Sequence, residues 1–239
     1  MEPYTMDPAT QCDNSLKALV RFHGGGFTEG EAEASMRPFF LELALKHGAV
    51  ILTPDYRLRP EHEMTDVIED IRCFWRWVEW DAQKVLRESL QEIELDVTNL
   101  LVGGDSAGGY LTLQTALLGM TSLPIKVLFV QYPSLDMASM LGLADESDQP
   151  GAEASVLLSD KVPYSVVEHH LAALEPGKIC TRAKFGARMH LLSAMLLAKR
   201  FCDISGDNAY FDPMTSLETA GKLPPILLYH SKDDEWVSA

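Results

Sequence analysis

The stretch LLVGGDSAGGY, Leu100 to Tyr110, constrains this chain more than any other. Leu100, Leu101 and Val102 read as a strand, Gly103 and Gly104 open a turn, and Tyr110 to Leu118 reads as a helix. Ser106 stands at the tip of the turn, in the pattern Gly104-Asp105-Ser106-Ala107-Gly108. A strand–turn–helix of this kind holds a serine hydroxyl above the carboxyl end of a strand and leaves the next backbone N–H free to face an oxyanion. Small residues flank the serine because the turn is strained and neighbouring backbone crowds it. The pentapeptide alone also fits an ordinary tight turn, so a second motif is needed.

That second motif lies upstream. Leu16 to Phe22 (LKALVRF) reads as a strand and runs directly into His23-Gly24-Gly25-Gly26-Phe27. Consecutive glycines after a strand let backbone N–H groups turn toward a ligand oxygen where a Cβ would obstruct approach. Such donors stabilise the charge of a tetrahedral intermediate, and losing one costs about 3–4 kcal/mol of barrier. A serine elbow and a three-glycine loop are parts of one device.

The rest of the chain alternates strand and helix. Glu31 to His47 has helical spacing of Met36, Phe39, Phe40, Leu43 and Leu45, and Gly48 ends it, which makes His47 a helix-end residue. Ala49 to Thr53 is a continuous apolar strand, followed by the loop Pro54 to His62. Met64 to Ser89 reads as one long helix whose stripe of Val67, Ile71, Phe74, Trp75 and Val78 belongs to the core. Ile125 to Tyr132 and Leu223 to Tyr229 are further strands. This alternation predicts an α/β architecture: βαβ crossovers and a parallel sheet with helices on both faces.

Composition excludes several classes. A formal net charge of −15 argues against a nucleic-acid backbone or an anionic membrane as partner. Cys12, Cys73, Cys180 and Cys202 are scattered without metal-ligand spacing, so no metal site is expected, and Cys73, inside a helical pattern, is expected to be a buried thiol. No apolar run approaches a membrane span, and residues 1–10 lack the features of a signal peptide, which makes a cytoplasmic setting the expectation.

HGGGF, PDYRLRPEH and GGDSAGGY, in this order and spacing, resemble the hormone-sensitive-lipase-like branch of the α/β-hydrolases. The resemblance runs from about Leu16 to Val237 and implies a serine esterase acting on small-molecule carboxylic esters without a cofactor. It implies Ser106 as nucleophile, and Gly24, Gly25 and Gly26 with the N–H of Ala107 as the oxyanion-hole stretch. It gives Asp55 to Glu61 a supporting role without chemistry. Residues 1–15 form a lead-in to a single domain spanning 16–239, and an insertion at about 134–196 corresponds to the family's helical cap. Within it, Asp145 to Glu153 reads as a loop, and Val162 to Leu174 and Ala187 to Phe201 as helices. His169, His170 and His190 there read as solvent-facing or cap-packing residues.

The family's acid follows the last strand in a pattern close to G-x-x-D-x-x-V, with Ser231 here in the glycine's place. That gives Asp234, with Asp233 as the alternative. The acid would hold a histidine in its productive tautomer. The family order is serine, acid, histidine, yet no histidine follows His230. Three readings stay open: a fragment of an esterase lacking its ends, a non-catalytic ligand-binding or scaffold protein, or His230 standing in as base, the last being the least favoured. The fold expected is a three-layer sandwich with a mostly parallel sheet of about five of the family's eight strands. Its outer strands, Ala49 to Thr53 and Leu223 to Tyr229, are expected to be exposed edges open to self-association.

Overall fold

A computed structural model describes residues 15–33, 36–90, 94–135, 162–201 and 211–234. Residues 1–14 of the lead-in, the loop from Asp145 to Glu153, Cys12, Cys202 and Val237 lie outside the described residues, while Ser15 already belongs to the first strand. Five strands form one parallel sheet: β1 (Ser15–Phe22), β2 (Ala49–Leu52), β3 (Glu94–Asp105), β4 (Ile125–Gln131) and β5 (Ile226–Tyr229), in the order β2-β1-β3-β4-β5. The helices among the described residues are α1 (Pro38–His47), α2 (Met64–Trp80), α3 (Ala82–Leu90), α4 (Ala107–Leu117), α5 (Ser165–Ala172), α6 (Met189–Leu197) and α7 (Pro213–Thr219).

Side-chain alternation along the strands assigns the two faces. Gly103 and Phe129, paired in register, face α1, where Phe39 and Phe40 pack edge-on to Phe129 at 5.1 and 6.2 Å. Phe22, Gly104 and Val130, one residue further along their strands, face the opposite side, where Phe22 meets Trp75 of α2 at 6.4 Å. Trp75 is fully buried and donates its indole N–H to Thr115 Oγ1 at 3.2 Å, joining α2 to α4. Val67, Ile71, Trp75 and Val78 lie in the core as their spacing predicts.

Several boundaries differ from the sequence reading. The helix expected from Glu31 begins at Pro38, because proline favours the first helical position and disfavours helix in the residue before it. Upstream, Gly30 is engaged in an antiparallel bridge with Ala183, and the Ala32 N–H in a bond to Asp55. Gly48 caps α1 in the left-handed conformation as expected, but Leu45 is 84% exposed and lies off the packed stripe. The long helix expected over 64–89 is interrupted at Asp81. The last strand starts at Ile226, since Pro224 and Pro225 carry no N–H for the ladder. Cys73 is exposed rather than buried: it falls on the solvent side of α2, where its Sγ lies 2.9 Å from Arg76 Nη2 and 3.6 Å from Glu69 Oε1.

Candidate active site

Parallel pairing brings the expected site residues to one end of the sheet. Phe22 of β1 pairs with Gly104 of β3, Asp105 of β3 with Gln131 of β4, and Gln131 with Tyr229 of β5. Gly24 and Ser106 therefore emerge from adjacent strands. The loop carrying Asp233 and Asp234 leaves β5 two strands away, about 10 Å along the sheet at the usual strand spacing. This carboxyl end is where ligands bind in parallel α/β folds.

Ser106 precedes α4 with φ 52° and ψ −119°, a backbone conformation unusual for a non-glycine residue. Strain of this kind costs about 1–3 kcal/mol and persists only where the surroundings enforce it. Its N–H is held by the Gln131 carbonyl at 3.0 Å, and its own carbonyl accepts the Tyr110 N–H at 3.0 Å. Ala107 opens α4 and is fully buried. Gly24 approaches the elbow so closely that an added Cβ would lie 2.8 Å from the Asp105 carbonyl oxygen and 3.4 Å from Ser106 Cβ. Gly25 has φ +113°, and a Cβ there would meet the Glu29 carbonyl at 2.2 Å. Above Gly26 lies Leu192 of α6, 2.5 Å from where a Cβ would be. Residues from the expected cap thus roof the glycine loop.

The elbow rests on a charge cluster that periodicity alone does not disclose. Asp105 accepts from Arg21 at 3.3 Å, with Arg21 fully buried, and Arg37 lies 3.9 Å from its other oxygen. Burial raises the Asp105 pKa, and the two guanidiniums oppose that shift. Arg37 also donates to the Tyr132 hydroxyl at 2.6 Å. Burial pushes the Tyr132 phenol up, with Asp105 and, more weakly, Asp234 adding to it against Arg37. His230 Nε2 stands 3.8 Å from Asp234 Oδ2, a separation longer than a hydrogen bond.

The segment Asp55 to Glu61 supports the glycine loop. Asp55 accepts the Ala32 N–H at 2.8 Å, and the buried Tyr56 hydroxyl donates to the His23 carbonyl at 2.7 Å. Glu61 ion-pairs with Arg188, and its other carboxylate oxygen lies 2.9 Å from His170 Nε2, so His170 takes the packing role of the two that the sequence left open. Burial alone would raise the Glu61 pKa, but hydrogen bonds from Arg188 and His170 outweigh it and leave the pKa lowered. Sequence reasoning passed over Glu29, whose fully buried carboxylate accepts the N–H groups of Gly186 and Arg188 at 2.8 and 2.9 Å. No signal near Glu29 marks those partners.

A hollow of about 500 Å³ lined by Pro54, Asp55, Phe74, Trp77 and Ile179 contains neither Ser106 nor the three glycines and lies outside this arrangement. Among the described residues no group of three or more His, Cys, Asp or Glu could hold a metal ion, and no helix is long and apolar enough to cross a membrane.

Residues 19–171, more than half of the chain, match the profile of the alpha/beta hydrolase fold family. The protein belongs to this family. A probable carboxylesterase of Phoma sp. is 27% identical over 227 residues, covering 90% of this hydrolase and 68% of the relative. Another, from Cochliobolus lunatus, is 26% identical over 198 residues, 79% of this chain and 86% of its own. An esterase of the archaeon Pyrobaculum calidifontis superposes with a TM-score of 0.51 at 25% identity, over 90% of this chain and 57% of that one. A Staphylococcus aureus protein of unknown function gives 0.62 at 18% identity, over 94% and 72%, and shows the fold alone. The α/β hydrolase described here is therefore carboxylesterase-like.

Proposed function

We propose that this hydrolase cleaves small-molecule carboxylic esters through Ser106, with the amides of the Gly24–Gly26 stretch and Ala107 receiving the oxyanion and Asp234 as the acid. The observation that carries this reading is the approach of Gly24 to a strained Ser106 at the carboxyl end of adjacent strands. A serine hydroxyl attacks a carbonyl only when a base takes its proton. No histidine follows Asp234 in these 239 residues, so the serine–acid–histidine order of the family is not completed within them. The oxyanion donors and binding alone leave about 10³–10⁴-fold acceleration over water. These 239 residues by themselves are accordingly expected to be a weak or inactive esterase.

The same sequence observation favours a second reading, a non-catalytic ligand-binding or scaffold protein built on the esterase fold. Hydrolysis of p-nitrophenyl butyrate by the chain and by Ser106→Ala separates the two. The esterase reading expects a small rate above background that the substitution abolishes. Equal rates with and without the serine hydroxyl leave the non-catalytic reading.

Residues 16–239 are read as one domain in which 134–196 acts as a cap. The bridge from Gly30 to Ala183 and the contact of Leu192 with the glycine loop support that reading. A cytoplasmic setting and self-association through the outer strands complete the proposal.

A further inference from the structure

Three arginines of the described residues are buried: Arg21, Arg59 and Arg188. Arg21 has Asp105, and Arg188 has Glu61. Arg59, only 7% exposed, makes no side-chain hydrogen bond or ion pair among the described residues, and its Nε is a buried donor without an acceptor. What faces it is the ring of Phe201, 5.4 Å from Cζ. A ring face offsets only part of the cost of taking a guanidinium out of water, and a buried cation ordinarily has a counter-charge. Buried polar groups left unsatisfied call for a missing partner.

Its position links that partner to the candidate site. The Arg59 N–H donates to the carbonyl of Phe27, the residue after the three glycines, at 2.8 Å. The Phe27 ring lies 6.1 Å from Phe201 and 5.4 Å from Tyr110, itself one helical turn beyond Ser106. The guanidinium, without a counter-charge among the described residues, thus belongs to the same aromatic stack that backs the glycine loop.

We propose that Arg59 anchors an anion subsite, and that the esters taken by this protein carry a free carboxylate in addition to the ester group. The proposal rests on the ester-hydrolase reading and names its substrate class. A guanidinium suits a carboxylate because its fork of N–H donors matches two oxygens. With a net charge of −15, the protein as a whole repels anions, so recognition must come from a local cation such as this one.

The test uses the full chain carrying Ser106→Ala, which can bind an ester without turning it over. Thermal shift is followed against monoethyl succinate and against ethyl butyrate, which lacks the carboxylate. Monoethyl succinate should stabilise the protein saturably and bind on the order of tenfold or more tightly than ethyl butyrate, the scale of a charged hydrogen bond. Arg59→Met should erase that preference, and Arg59→Lys should retain part of it. Should Arg59→Met not fold, Arg59→Gln serves in its place. Equal affinity for the two esters, or a preference that survives removal of the guanidinium, overturns the proposal. Because the readout is binding, it is independent of the hydrolysis assay: a failed assay with the preference intact leaves the subsite standing and removes the esterase reading alone.

Discussion

His23 shows how one residue serves the glycine loop without entering the chemistry. It is 1% exposed, stacks on Tyr56 with ring centroids 4.1 Å apart, and places Nδ1 2.8 Å from the Gly24 carbonyl. A carbonyl only accepts, so Nδ1 carries the proton and donates it. Burial lowers the pKa from 6.5 to about 4, outweighing the raising effect of that bond, so the ring stays neutral near pH 7. The unfolded chain binds this proton more readily than the folded one. The stabilisation tied to the neutral ring is therefore complete above pH 6.5 and is lost as pH falls toward 4, by about 3 kcal/mol in all. Urea-unfolding stabilities measured from pH 7 to 4 should fall further for the wild type than for His23→Phe by about that amount. Parallel curves for the two proteins would refute it. The motif around His23 could be read from the sequence, but its titration could not, because burial is set by Tyr56, 33 residues away.

Among the elements, the segment 180–188 acts as a strap across the candidate site. Gly30 and Ala183 exchange two backbone hydrogen bonds at 2.7 and 3.0 Å, Leu58 donates to the Cys180 carbonyl at 2.8 Å, and Glu29 takes the N–H groups of Gly186 and Arg188. Glu61 completes the strap by pairing with Arg188 while both side chains are largely buried, 4% and 10% exposed. Removing one partner of such a pair strands the other charge, which costs about 3–5 kcal/mol. Glu61→Gln should destabilise the protein by roughly that amount. Backbone amides of 180–188 should also lose hydrogen-exchange protection before those of β3 do. Uniform loss of protection across sheet and strap would contradict this. Strand β3 and the helix after the elbow were legible because apolar runs and glycines report local conformation. The start of α1 was not, because Met36 and Phe39 keep helical spacing across a point where Pro38 sets the first turn.

For the molecule as a whole, the two outer strands are unequal. β2 is partly covered by α1, whereas all four residues of β5 are exposed, Leu227 at 58% and Tyr229 at 60%. An apolar edge strand without lysine, bulge or internal proline invites pairing with another chain. Sedimentation at rising concentration should show reversible association that Leu227→Lys suppresses, and a concentration-independent monomer would count against the edge as its cause. The sequence by itself determined the fold class, the elbow at Ser106 and the glycine loop, because each is a device of a few consecutive residues whose geometry follows from local sterics. Only the tertiary structure decided which charges are answered. Asp105 meets Arg21 across 84 residues, Glu61 meets Arg188 across 127, and Arg59 meets an aromatic ring without a counter-charge among the described residues. Such pairings depend on how strands and straps converge at one end of the sheet, and no short window of sequence carries that information.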